Sequence, residues 1–278
     1  MKKIIVCALS ALILGKSFAQ TGMSCCIPAA TEKYALNSTN KDFVSAHPSP
    51  LPFTYTGPGT DINYTAADGT SAHAWMIKAD KPTDYYIFVV HEWWGLNDYI
   101  KKESEKMAND FGVNVIALDL YDNQVATNRD DAAKIMQSVK TERAKAIIKG
   151  AYTYAGAGAK VFTIGWCFGG GWSLQTAIEG GKQAAGCIMY YGQPEKDVSR
   201  LKTINCDIIG FFGNKDQWPS PAVVDEFVST AKAAGINLMV NRYEATHGFA
   251  NPSNPDYNKE ATADAYNKIK EFVKARMR

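Results

Sequence analysis

Val161-Phe162-Thr163-Ile164-Gly165-Trp166-Cys167-Phe168-Gly169-Gly170-Gly171-Trp172 passes from an apolar run into a glycine-rich turn and then into a segment that can stay helical to Glu179. Val161–Ile164 reads as a buried strand and Gly170–Glu179 as a helix, so Cys167 sits at a strand-to-helix corner. A corner of the form Gly-x-nucleophile-x-Gly exposes its central side chain, and its glycines leave room where a Cβ would crowd the backbone. The free N–H groups of the helix's first turn then point at the sulfur and favour its thiolate. Taken alone, the pattern also fits a buried structural cysteine in a glycine-rich crossing.

On either side of this corner the chain alternates between apolar strands and helical segments. The strands are expected at Tyr85–Val90, Val113–Leu118, Val161–Ile164, Ala185–Tyr190, Ile208–Phe212 and Leu238–Tyr243. The helices are expected at Tyr99–Asn109, Arg129–Thr153, Gly170–Glu179, Pro221–Ala234 and Tyr257–Ala275. Near-continuous apolar strands need cover on both faces and the helices supply it, which predicts an α/β fold with a mostly parallel twisted sheet and right-handed crossovers. Ile62–Thr65 and Ala72–Ile77 predict an N-terminal hairpin that turns at Asp68-Gly69. Residues 20–60, with Pro28, Pro48, Pro50, Pro52 and Pro58, read as an extended leader, and residues 61–278 as a single domain.

The segments after Cys167 supply partners for it. Asp216 follows the strand Ile208–Phe212, and His247 follows Leu238–Tyr243. Both fall at carboxyl ends of strands, where open α/β sheets bind ligands, in the order nucleophile, acid, histidine. In that arrangement His247 deprotonates or ion-pairs Cys167, and Asp216 fixes the imidazole tautomer. His91-Glu92-Trp93-Trp94-Gly95 forms a short loop after Tyr85–Val90. The Trp93 N–H, with that of Phe168, is placed to receive an oxyanion. Glu92 either handles the thiol proton or hydrogen-bonds loop backbone. Trp93, Trp94, Tyr121, Trp166, Trp218 and Phe249 are candidates to line an apolar site, Trp218 foremost, or to pack at strand ends.

Composition removes other classes. Lys2 and Lys3, the apolar run Ile4–Leu14 and Ser17-Phe18-Ala19 read as an export signal over residues 1–19, cleaved after Ala19, which implies a periplasmic or secreted enzyme. Without Lys2, Lys3 and Lys16 the chain keeps 27 Lys and Arg against 28 Asp and Glu, so no nucleic-acid surface and no stable membrane insertion is implied. The four histidines (His47, His73, His91, His247) show no metal-ligand spacing and no Cys-x-x-Cys is present, which argues against zinc; the chemistry requires no cofactor. Five cysteines remain after the signal; a Cys187–Cys206 bridge and any pairing of Cys25 or Cys26 stay open, as does the oligomeric state.

The set His91-Glu92-Trp93-Trp94-Gly95-Leu96-Asn97, Leu118-Asp119-Leu120-Tyr121, Gly165-Trp166-Cys167-Phe168-Gly169-Gly170 and the Asp216 and His247 motifs resembles the dienelactone hydrolase family, cysteine-dependent enzymes of the α/β-hydrolase fold. The likeness covers about residues 70–275. It implies a Cys167–His247–Asp216 triad, an accessory proton-handling Glu92, an acyl-enzyme, and carboxymethylenebutenolidase-like cleavage of a small ester, lactone or thioester. Family members that act on dienelactone hold its carboxylate with two arginines; those places are Asn123 and Asn251 here, so a neutral or weakly polar substrate is expected, with Tyr121, Asn123, Trp218 and Asn251 as substrate contacts. The alternative class is a non-catalytic small-molecule binding protein that keeps the hydrolase fold. A peptidase would need a cap domain for which the insertions are too short.

Overall fold

The computed structural model describes residues 30–277. The export signal and its cleavage point after Ala19, together with Cys25 and Cys26, lie outside the described residues. Eight strands form one sheet in the order β1-β2-β4-β3-β5-β6-β7-β8. The hairpin is β1 (Thr60–Thr65) and β2 (Ser71–Ile77), antiparallel, with Gly69 at φ +83° and Asp68 Oδ1 accepting from Thr70 N at 3.0 Å. It joins the sheet through an antiparallel β2–β4 pairing. From there β3 (Tyr85–Val90), β4 (Asn114–Leu118), β5 (Lys160–Trp166), β6 (Ala184–Tyr190), β7 (Ile208–Gly213) and β8 (Leu238–Tyr243) run parallel. The apolar strands are buried because helices cover both faces: Val115, Ile116, Ala117 and Leu118 of β4 are fully inaccessible.

Among the described residues two helices precede the hairpin, α1 (Ala30–Ala35) and α2 (Lys41–Ser45), with a 3-10 turn over Leu36–Thr39 between them. The leader therefore departs from the extended form expected of it. Among its described residues the prolines are concentrated beyond α2, at 48–58, and that part lacks regular structure. Upstream, Asn40 caps α2 by accepting from Asp42 N at 2.9 Å, and Tyr34 and Phe43 are buried. The remaining helices are α3 (Asp98–Phe111), α4 (Arg129–Ser138), α5 (Thr141–Ala155), α6 (Phe168–Glu179), the four-residue α7 (Val198–Leu201), α8 (Pro221–Ala234) and α9 (Lys259–Arg276). The single helix expected over Arg129–Thr153 is thus two. Val139 and Lys140 are extended (ψ 120° and 124°), and Thr141 at the head of α5 donates to Glu32 of α1 at 2.6 Å. Among the described residues, Cys187 and Cys206 are free thiols, and no helix is long and apolar enough to cross a membrane.

Candidate active site

β5 delivers the chain to Cys167 and α6 takes it away at the next residue. Cys167 occupies φ 56°, ψ −120°, a conformation that costs a non-glycine residue energy and that functional turns retain. The bend is held by Cys167 N donating to the Tyr190 carbonyl at 3.1 Å and Gly170 N donating to the Cys167 carbonyl at 3.0 Å. The crossing is tight enough to require glycine. A Cβ on Gly165 would lie 2.1 Å from the Gly169 carbonyl oxygen, and one on Gly169 would lie 2.3 Å from the Val90 carbonyl oxygen. Backbone cannot swing aside as a flexible side chain can. Gly169→Ala should therefore lower stability by about 3 kcal/mol or more, read as a fall in the urea midpoint; an unchanged midpoint would mean that the crossing relaxes freely.

Asp216 and His247 come from the turns after β7 and β8, both buried. His247 Nδ1 donates to Asp216 Oδ2 at 2.8 Å, while Asp216 Oδ1 accepts from Trp218 N at 2.7 Å. The imidazole is thus fixed with Nε2 toward the cysteine, within 4.8 Å of Sγ. Burial opposes a charge on His247, but the Asp216 carboxylate and the Cys167 sulfur outweigh it and hold the pKa well above the ordinary histidine value.

The loop after β3 brings Glu92 and Trp93 to the same place. His91 Nδ1 donates to the Glu92 carbonyl at 2.6 Å and so braces the loop. The Glu92 carboxylate accepts from Asn251 Nδ2 at 2.7 Å, and burial pushes its pKa up to about 7, against the opposing pull of His247 and Asn251. Asn251 is spent on this bond and on Ser253, whose N and Oγ donate to its Oδ1. Glu92, Trp93, Cys167, His247 and Asn251 border one void of about 20 Å³. Glu92 and Asn251 also border a cavity of about 380 Å³ between α3 and α9, lined by Trp166, Tyr190, Tyr257 and Tyr266.

Tyr121, Asn123 and Trp218, expected as substrate contacts, do not border these two voids. Tyr121 is buried against His91 and Phe168, with ring centroids 4.5 and 5.2 Å away. Asn123 sits in an exposed turn at φ 70°, its N–H bound to Asp119. Trp218 meets Phe43 edge-on at 5.6 Å. What the sequence reading missed lies in the leader. The Tyr34 hydroxyl is 3.3 Å and His47 Nε2 is 3.5 Å from Cys167 Sγ, and Cys167 is only 2% exposed beneath them. His47 Nδ1 donates to the Phe43 carbonyl at 2.6 Å, and burial, reinforced by His247, lowers its pKa to about 3, so it stays neutral. Helices of six and five residues are too short to show a periodicity that would flag either residue; the available signal was a Tyr, a Phe and a His at 34, 43 and 47 in a mostly small and polar segment.

Residues 73–277 match the dienelactone hydrolase family. The chain is 28% identical over 204 residues to the protein usf of Aquifex pyrophilus, covering 68% of this chain and 87% of that one. It is 26% identical over 202 residues to the carboxymethylenebutenolidase of a Pseudomonas species, covering 68% and 83%. The fold superposes on a dienelactone hydrolase-like promiscuous phosphotriesterase from metagenomic libraries with a TM-score of 0.67 at 20% identity, over 79% of this chain and 99% of that one. The chain therefore belongs to the dienelactone hydrolase family and is a carboxylic ester hydrolase of the α/β-hydrolase fold.

Proposed function

We propose that the protein cleaves a small neutral or weakly polar ester, lactone or thioester through a covalent acyl-Cys167 intermediate. The observation that carries this reading is the buried His247–Asp216 hydrogen bond aimed at a cysteine held in strained backbone between β5 and α6. His247 takes the thiol proton, and the sulfur attacks the substrate carbonyl carbon. The oxyanion is received by the Trp93 and Phe168 N–H groups, the second at the N-terminus of α6. The leaving oxygen or sulfur departs with the proton from His247, and water, deprotonated by the same imidazole, releases the acid. With Asn at 123 and 251, no arginine stands at either place to pair with an anionic substrate. The aromatic cavity between α3 and α9 suits an apolar acyl or aryl group that enters beside Glu92. We further propose that residues 1–19 act as an export signal, so that the enzyme works outside the cytoplasm.

The test is intact-protein mass spectrometry of the protein mixed with activated esters and lactones and quenched at short times. A transient acyl mass that maps to the peptide holding Cys167 is the expected result. Turnover without an adduct, or an adduct on another residue, would sink the mechanism.

Glu92 gives a separate handle. Its folded pKa, near 7, lies above the value for an unfolded glutamate, about 4.3. Its contribution to stability is therefore fully present below about pH 4 and is lost as pH climbs through 7, a change of up to about 4 kcal/mol. Urea midpoints between pH 4.5 and 8 should fall more steeply in the wild type than in Glu92→Gln. In the same pair, a limb of kcat/KM near pH 7 should be present in the wild type and absent in the variant. Parallel stability curves would remove Glu92 as a group poised near neutrality.

A further inference from the structure

We propose that His47 Nε2, Cys167 Sγ and His247 Nε2 form a three-ligand site for a soft divalent cation of the zinc class, with the leader segment supplying the third ligand. Sequence spacing argues against zinc because the three residues are 120 and 80 positions apart. The fold nevertheless brings their ligand atoms to within 4.8 Å of one another, all three residues buried. With zinc–sulfur and zinc–nitrogen bonds of about 2.3 and 2.0–2.1 Å at a tetrahedral angle, a sulfur and a nitrogen ligand lie about 3.5 Å apart. The His47–Cys167 separation is already 3.5 Å; the other separations extend up to 4.8 Å and close as the imidazoles turn onto the ion.

The outer contacts fit as well. His47 Nδ1 is bound to the Phe43 carbonyl and His247 Nδ1 to the Asp216 carboxylate, which leaves both Nε2 atoms to turn inward. Carbonyl and carboxylate partners of this kind orient metal-bound imidazoles and raise their basicity. His247 Nε2 is buried and makes no hydrogen bond. The void that His47, Cys167 and His247 border measures about 20 Å³, room for one atom-sized guest. Two imidazoles and a thiolate select zinc-like or cuprous ions over magnesium or calcium. Binding changes no oxidation state, and the S–H or N–H bond that breaks is replaced by bonds to the metal. The one proton shared by Cys167 and His247 leaves, and the sulfur and both nitrogens each donate a lone pair. An occupied site has no free nucleophile, so the metal and an acylating substrate exclude each other, and the metal ties His47 to the sheet.

The test titrates the reduced, metal-stripped full-length protein with Zn²⁺ alone against a chromophoric chelator, with no substrate present. This keeps the outcome separate from the hydrolytic reading: an inert protein can bind zinc, and an active one can fail to. One tight equivalent is expected, weakened by about 100-fold or more in His47→Gln and in Cys167→Ala and retained in a Cys25→Ser/Cys26→Ser variant. X-ray absorption at the zinc edge of the wild-type complex should read one sulfur and two imidazoles, which needs no variant to fold. Absence of a tight equivalent, wild-type affinity in His47→Gln or Cys167→Ala, or an edge spectrum with no sulfur or more than one, overturns the proposal.

Discussion

Cys167→Ala should lower kcat/KM for any substrate of the wild type by about 10⁴-fold or more and abolish acyl-adduct formation, while leaving the urea midpoint nearly unchanged. The size of the effect follows from how the residues act as a unit. His247 is oriented by Asp216 at 2.8 Å and has its Nε2 toward the sulfur, so with the sulfur gone its base function has no object. Stability should survive because only one sulfur atom leaves a site that already borders a small void. Strain at φ 56° stays the same for alanine as for cysteine. Asp216→Asn should cost about 10³- to 10⁴-fold by favouring the wrong imidazole tautomer. Initial rates on the best ester of a panel, with a thiol titration to confirm the substitution, provide the measurement. A variant that retains a tenth of wild-type turnover would show that another group attacks the carbonyl.

The parallel sheet, the corner at Cys167 and the strand-end places of Asp216 and His247 were legible because each rests on a local pattern. Apolar runs of five or six residues mark buried strands, and glycines at 165 and 169 mark a crossing that admits no Cβ. Strand bounds at Tyr85–Val90 and Leu238–Tyr243 match their expected limits for that reason. The break in Arg129–Thr153 was not legible, since neither glycine nor proline marks it and Thr141 is drawn to a partner in α1. Nor was the bond from Asn251 to Glu92, because it spans 159 positions; Asn251 also borders both the site void and the α3–α9 cavity. Averaged over its length the leader's composition implies an extended chain, because prolines at 48–58 dominate it, whereas Tyr34, Phe43 and His47 upstream of them fold onto the site. Long-range contacts of that kind depend on which surface is left uncovered, a property of the finished sheet.

That contact leads to the second large effect. Phe43 is fully buried and sits at the centre of an aromatic cluster. Its ring meets Tyr34, Trp93 and Trp218 edge-on at 5.6, 5.7 and 5.6 Å and lies 4.2 Å from the His47 ring. Truncation to alanine removes about 3–5 kcal/mol of packing. Helices of six and five residues have no independent stability, so the loss falls on the docking of residues 30–47 and far less on the sheet. Since Tyr34 and His47 cover Cys167, the population with an open thiol should rise by about 100-fold or more, at about 1.4 kcal/mol per factor of ten. The expected result for metal-free Phe43→Ala is alkylation of Cys167 by iodoacetamide about 100-fold faster than in the wild type, with the main urea transition shifted little. Cys187, buried under α6, serves as the internal control and should stay unlabelled in both. Equal labelling rates for Cys167 in the two proteins would mean that the segment does not govern access to the sulfur. In that case substrate would reach the sulfur from the α3–α9 cavity past Glu92 and Asn251, and widening that passage with Asn251→Ala would raise the labelling rate where Phe43→Ala had failed to.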